Sequence, residues 1–464
     1  MSITAAIPFF ALLGSIALLP LLAQHWWERY YPAVAAGLSA VTALTVLMLS
    51  GSLMPVVHSL HEYVSFIALI GALYVIAGGI HIRLRGKSAP LNNVVFLFVG
   101  AVLANLLGTT GASMVLIRPY LRGIKYRVRP YHVLFFIAIV SNVGGALTPI
   151  GDPPLFLGYL KGVPFFWTVD TLLPMWALAL GILLLIFYIV DLRSYRRLPA
   201  GERHRIDDAG ETAEISGAHN ILFLFIVLGA VFLPEIPFLR ESVMIAAAVA
   251  SYVLTDRTIH TRNEFSFGPV KEVAILFFGI FVTMVPALEW IREHALAFGF
   301  IHPTQYYWAS GILSSVLDNA PTYLNFFNAS LGAFIPEGSV DALRHALSLI
   351  ASGAQHGPVP DDIAAAVRTV SWYVPATTAA QALPDERLSV FYLLATHPVI
   401  VQAISIGSVF FGASTYIGNG PNLMVKGISE HIGVKCPSFG AYVLRFTLPV
   451  LLPVFLLVWL VFFR

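Results

Sequence analysis

Long stretches of the chain carry no Asp, Glu, Lys or Arg. Nothing before Glu28 is charged, and residues 30–61, 63–82, 88–117, 131–151, 171–190, 220–234, 243–255, 273–288, 295–317, 319–336, 388–425 and 446–463 are also charge-free. About 20 apolar residues cross a bilayer as a helix. These runs predict spans at about 4–23, 31–50, 62–82, 131–160 and 165–190, then at 220–234, 238–255, 273–290, 399–425 and 441–462. Two further runs, about 91–119 and 307–335, read as re-entrant hairpins. The first run has no basic flank and is followed by a second apolar run, so it reads as an uncleaved span and not a signal peptide.

Two polar breaks divide the pattern. Residues 191–219 form a charged linker between a first half, 1–190, and a second half, 220–464. Residues 336–387, rich in Pro, Gly, Ala and acidic residues, form an insertion in which 341–351 and 361–374 are amphipathic and read as surface helices. Composition agrees with membrane burial. Of 464 residues, 58% are hydrophobic and 11% charged, and the mean hydropathy is +0.79. Soluble domains carry about 25% charged residues, so a cytosolic enzyme is excluded. A net charge of +2 excludes a nucleic-acid binder driven by a basic field, and the single Cys436 excludes disulfides and cysteine-based metal sites.

An internal repeat sets the expected architecture. Residues 141–157, SNVGGALTPIGDPPLFL, lie over 408–424, SVFFGASTYIGNGPNLM, at an offset of 267, with Ser, Gly, Ala, Thr, Ile, Gly and Pro identities in register and Asp152 facing Asn419. Leu103-Ala-Asn105 aligns with Leu317-Asp-Asn319 at an offset of 214. Five crossings per half would invert the second half relative to the first. The fold expected is therefore an all-α polytopic membrane protein of two inverted repeats: about ten transmembrane helices, two re-entrant hairpins and two broken helices. With linker 191–219 in the cytoplasm, nineteen Lys and Arg residues fall inside, among them Arg83, Lys87, Arg118, Lys125, Arg129, Arg193, Arg203, Arg205 and Lys435. Seven fall outside: Lys161, Arg240, Arg292, Arg344, Arg368, Arg387 and Arg464. The positive-inside rule then holds along the chain, and both termini and the insertion are external.

The chemistry lies at the breaks. Gly-Gly, Thr-Pro and Gly-Asp-Pro-Pro inside an apolar run cannot continue one helix, and irregular backbone at bilayer depth is tolerated only where it lines a buried cavity. Matching interrupted helices in two halves point to a transporter's substrate and ion site. At these breaks Ser141, Thr148, Ser414 and Thr415 offer hydroxyls, Asn142, Asn419 and Asn422 offer amides, and Gly145 and its neighbours free backbone carbonyls. These are hard oxygen ligands suited to an alkali cation. Asn105, Thr109 and Thr110 in the first hairpin, and Asp318, Asn319 and Thr322 in the second, complete the candidates; a plain polar contact between helices competes with a site at the first three.

The SNxGGxxTxxGDPP and GASTxIGNGPN motifs, with LDNAPT at a hairpin tip, resemble the ion transporter superfamily, whose branches include NhaD-type sodium/proton antiporters, citrate transporters, arsenite permeases and sodium–dicarboxylate symporters. The closest likeness is to a bacterial branch labelled sodium:proton antiporter or citrate transporter. The resemblance covers nearly the whole chain. It implies a scaffold, a mobile body built from the hairpins and broken helices, an elevator movement and a homodimer in the cell inner membrane. The first hairpin reads ANLLGTTG and the second LDNAPT, and neither keeps the Ser-Asn-Thr triplet that holds sodium and carboxylate in the symporters.

Proton antiport needs a titratable group at depth. Asp152 and Asp318 lie within the motifs and are the proton-coupling candidates; the competing reading is that each caps a half-helix. The sodium ligands expected are Thr148, Asp152, Asp318, Asn319 and Thr415. No cofactor is expected beyond sodium and protons as coupling ions. The expected function is sodium/proton antiport, the alternative a cation-coupled symporter of citrate or another carboxylate anion; a passive channel would also have broken helices. No GxxxxGK[ST] motif occurs, which speaks against an ATP-driven pump.

Overall fold

A computed structural model describes the chain except residues 1–2, 86–87, 125–126, 202–211, 235 and 354–358. Lys87, Lys125, Arg203 and Arg205 of the predicted inner charge, and parts of the linker and insertion, lie outside the described residues. The architecture is helical and polytopic, with seven helices among the described residues long and apolar enough to cross a membrane, or eight if one bent pair is a single span.

The long helices are α1 (Ile3–Leu22), α2 (Gln24–Ser50), α3 (Met54–Gly78), α4 (Pro90–Gly123), α7 (Phe165–Arg196), α11 (Gly268–Glu293) and α20 (Phe439–Phe462). Between them lie α5 (Pro130–Ile139), α6 (Pro153–Leu160), α8 (Asn220–Ala230), α9 (Leu239–Leu254) and α10 (Arg257–Arg262). The second half continues with α12 (Pro303–Ser314), α13 (Asn319–Phe334), α14 (Ser339–Ala351), α15 (Asp361–Tyr373), α16 (Ala376–Ala382), α17 (Asp385–Thr396), α18 (Pro398–Phe411) and α19 (Gly420–His431).

Helices α3 and α11 pack together at the centre. Phe66 stacks on Phe277 at 4.6 Å, and Ser59 Oγ donates to Phe281 O at 2.6 Å. Helices α1 and α2 pack on α11, while α8 and α9 pack on α3. Gly279 makes the first of these contacts possible: a Cβ there would sit 3.0 Å from both Ala35 Cβ and Leu12 Cδ2.

Three expectations differ from the structure. The segments predicted as spans 220–234 and 238–255 contain helices of 11 and 16 residues, short of the length for a bilayer because Pro234 stops the first and the second starts only at Leu239. The predicted span 62–82 stops at Gly78, where Asn263 Nδ2 takes the terminal carbonyls of Gly78 and Ile80 at 2.8 and 2.9 Å. The chain then enters a two-stranded antiparallel ribbon, β1 (His81–Arg85) with β2 (Thr212–Ser216), which the all-α reading lacked. Last, the second broken helix is preceded by α17, set at 98° to α18 across Thr396 and His397.

The insertion forms α14 and α15 where the amphipathic pattern placed them. With α16 and α17 they enclose a small core of their own around Leu343, Leu347, Ile363, Val370 and Phe391.

Candidate functional site

Both hairpins form. Helix α4 is broken at Gly108, whose φ of 72° and ψ of 155° suit glycine. Phe96 stacks on Tyr120 at 5.2 Å, although a straight helix would hold them about 36 Å apart, so the two limbs run back to back. The second hairpin reverses between α12 and α13, and the rings of Tyr306 and Phe334 meet at 6.0 Å.

Each hairpin is stitched to a broken helix by a threonine. Thr148 Oγ1 donates to Asn105 O at 2.7 Å and accepts from Gly151 N at 3.1 Å. Thr415 Oγ1 donates to Ser315 O at 2.6 Å and accepts from Ile417 N and Gly418 N at 3.2 and 3.1 Å. Two backbone donors occupy both lone pairs of Thr415, so its hydroxyl has none left for the sodium expected there. Laid on the repeat read from the sequence, the same contacts pair the hairpins in a different register. The stitched carbonyls belong to Asn105 and Ser315, so Asn105 corresponds to Ser315 and not to Asn319. Gly108 then corresponds to Asp318, and Thr109 to Asn319. Glycine packing repeats this register: Gly100 meets Val140 as Ser310 meets Gly407, and Ala101 meets Gly144 as Gly311 meets Phe411.

The breaks are held from within by amides. Asn105 Nδ2 donates to Ala101 O and Gly144 O at 3.1 and 2.6 Å, and its Oδ1 accepts from Leu147 N and Thr148 N at 3.0 and 3.3 Å. Asn422 Nδ2 donates to Gly412 O and Thr415 O, both at 2.8 Å, and its Oδ1 accepts from Asn142 Nδ2 at 2.8 Å. Asn105 thus uses both donors and both acceptor sites as a clamp, and Asn422 uses both donors and one acceptor site, which matches buried polar groups elsewhere. Ser141 Oγ pairs with Ser113 Oγ at 2.8 Å, Ser414 O accepts from Thr447 Oγ1 at 2.6 Å, and Thr322 Oγ1 returns to Asp318 O at 2.9 Å. Gly145 is required by close approach: a Cβ there would lie 2.5 Å from Thr109 Cγ2 and 2.7 Å from Gly151 O.

Asp152 is where these parts meet. The carboxylate is buried at the start of α6. Its Oδ1 accepts from Thr109 Oγ1 at 2.7 Å and Asn419 Nδ2 at 3.1 Å, and its Oδ2 accepts from Asn319 Nδ2 at 2.6 Å. One acid therefore joins both hairpin tips and the second break. Asn419 Nδ2 also reaches Ser141 O and Asn142 Oδ1, each at 3.2 Å. Asn319 Oδ1 is buried and has no hydrogen-bond partner. Asp318 caps α13 by accepting from Ala320 N at 3.0 Å, and it lines a small cleft with Thr110, Asn419 and Pro421. Thr110 and Pro153 also line a second small cleft, which Asp152 and Thr109 line as well.

The cleft walls were not legible as site residues. Phe66, Ile70 and Tyr74 of α3 and Val273 and Phe277 of α11 form them, yet in sequence they are ordinary apolar positions of a span. The nearest signal is that these two helices are each 61% buried over their apolar windows, against 22–44% for the other candidate spans. No Lys, Arg or His lines either cleft among the described residues. The site thus offers two carboxylates, one unpaired amide oxygen and a hydroxyl-bearing Thr110, between four breaks in the helices. That donor set can take a monovalent cation or a proton.

A protein-family model described as "Putative citrate transport" matches residues 1–463. No curated protein matches the chain.

Proposed function

The chain belongs to this citrate transport family, and on that premise we propose a secondary active transporter in which Asp152 and Asp318 exchange sodium for protons. The observation that carries this reading is the buried Asp152 carboxylate, bonded to Thr109, Asn319 and Asn419 from three different elements, beside the cleft that Asp318 lines. Asp152 has three fixed donors, so it stays in place and organises the site. Asp318 has one backbone donor and faces open space, so it is the exchangeable carboxylate. Sodium bound there would take oxygens from Asp318 and from Asn319 Oδ1; a proton on Asp318 would displace it. Thr148 contributes through its link to the hairpin.

The two halves act as inverted repeats in the inner membrane, with α8 and α9 as shortened counterparts of α1 and α2. Support comes from the paired stitches of Thr148 and Thr415, and from the way α1 and α2 embrace α11 as α8 and α9 embrace α3. Those six helices are the scaffold. The hairpins, broken helices, α7 and α20 form the mobile body, which moves as an elevator within a homodimer.

Cation-coupled citrate uptake is the second reading, favoured by the family match. Helices α6, α13 and α19 all begin at the clefts, and helix N-termini favour carboxylates. Proteoliposome flux separates the readings. Sodium-driven proton efflux without citrate supports exchange. Sodium-dependent accumulation of labelled citrate supports symport. Downhill leak alone, with no uphill flux under a set gradient, refutes both and leaves a channel.

A further inference from the structure

At the end of the molecule remote from the insertion, a cleft lies between the start of α5 and the end of α7. It is lined by Arg127, Arg129, Arg193 and Arg197, with Tyr131 and Ser194. Among the described residues no carboxylate lines it, nor the neighbouring cleft that shares Arg129 and adds Arg122 and Lys435. The floor is rigid. Arg127 is buried, and its guanidinium is spent on Asp191 and Ser88 O; Asp191 also accepts from Tyr131 Oη at 2.7 Å and Asn93 Nδ2 at 2.9 Å. Above that floor Arg129, Arg193 and Arg197 are exposed, and none has an ion-pair partner among the described residues.

The face of α7 that leads to this cleft identifies the occupant. Leu185, Ile189, Arg193 and Arg197 follow one another at four-residue spacing, so they lie along one side of the helix. Leu185 and Ile189 are 57% and 39% exposed, an apolar track that a soluble anion would leave unused. We propose that the cleft binds the phosphate headgroup of an anionic phospholipid, with an acyl chain lying along Leu185 and Ile189. Guanidinium forks match phosphate oxygens in pairs, and the position agrees with the inner side of the membrane, where anionic headgroups meet basic pockets between helices.

The test is lipid binding to the purified full chain, read by native mass spectrometry during titration with phosphatidylglycerol or phosphatidylcholine. It needs no transport, so its outcome is independent of the cargo. An arginine near the headgroups contributes about fivefold, so Arg193→Gln with Arg197→Gln should weaken phosphatidylglycerol binding roughly 30-fold. Phosphatidylcholine binding should not change. Arg257→Gln with Arg262→Gln, the same charge loss on α10 away from the cleft, should change it less than about threefold. Equal loss in both pairs would reduce the effect to general surface charge and overturn the proposal. So would equal affinity for the two lipids. Displacement of the lipid by inorganic phosphate at matching concentration would make the occupant a soluble anion instead. Should the double variant unfold, Arg197→Gln alone, with a fivefold loss expected, decides the matter.

Discussion

Replacing Asp152 by Asn separates the fold of the site from its function. Asp152 accepts from Thr109, Asn419 and Asn319. In Asp152→Asn the retained oxygen can keep Thr109 and Asn419, while the new amide faces Asn319. Asn319 can answer by turning its own amide, because its Oδ1 has no partner. The bond is then remade, but the turned Asn319 amide nitrogen is left without an acceptor, so the loss should be about 1–3 kcal/mol, less what is regained by removing a buried charge. Asp152→Ala has no such repair. Asn419 keeps Ser141 O and Asn142 Oδ1, but the donors of Thr109 and Asn319 are stranded. Ala leaves two donors stranded where Asn leaves one, so at about 1–3 kcal/mol for each, Ala should be less stable than Asn by about 1–3 kcal/mol. Both should lose cation binding. The assay is thermal unfolding in detergent with and without sodium. A ligand at one hundred times its dissociation constant stabilises the native state by about 2.7 kcal/mol, and that increment should vanish in both variants. An Asp152→Asn protein that sodium stabilises as much as the wild type, or an Ala variant as stable as the Asn variant, would refute the reasoning.

Three further outcomes are expected. Asp318→Asn keeps an N-cap of equal quality, so the protein should fold normally and lose proton-coupled exchange; unchanged antiport in liposomes would move that role to Asp152. The Arg118 guanidinium, 2.8 Å from Glu264, holds the Glu264 carboxyl below its usual range. The pair's contribution is complete above the ordinary carboxylate pKa and fades as pH falls through the lowered one. Because Glu264 is half exposed, Arg118→Gln should cost under about 1 kcal/mol at neutral pH, and the gap between wild type and variant should close in acid; a gap that widens in acid would contradict this. For topology, in a Cys436→Ser background, cysteine placed at Ser352 should react with an impermeant reagent in intact cells and cysteine at Ser194 should not, and labelling at position 194 would reverse the orientation.

Membrane residence, the four breaks and nearly all of the polar residues near the site are properties of the sequence alone. Apolar runs of span length are unmistakable, and Gly, Pro and Asn inside such a run cannot be absorbed by a helix. The family likeness was carried by the same residues. What those residues touch was decided by tertiary contact. Thr148 and Thr415 look like equivalent ligands in sequence, yet both donate to hairpin carbonyls, and Thr415 has no lone pair to spare. Asn105 and Asn319 align by letter, but the stitches pair Asn105 with Ser315, so Asp318 stands where the first half has Gly108. That one-turn shift is invisible in an alignment because neighbouring turns of two apolar helices resemble each other. The convergence of Thr109, Asn319 and Asn419 on Asp152 joins positions 43, 167 and 267 residues apart. Local propensity cannot specify such a junction. It follows from how two hairpins and two broken helices pack, where each buried polar group must find its partner on another element.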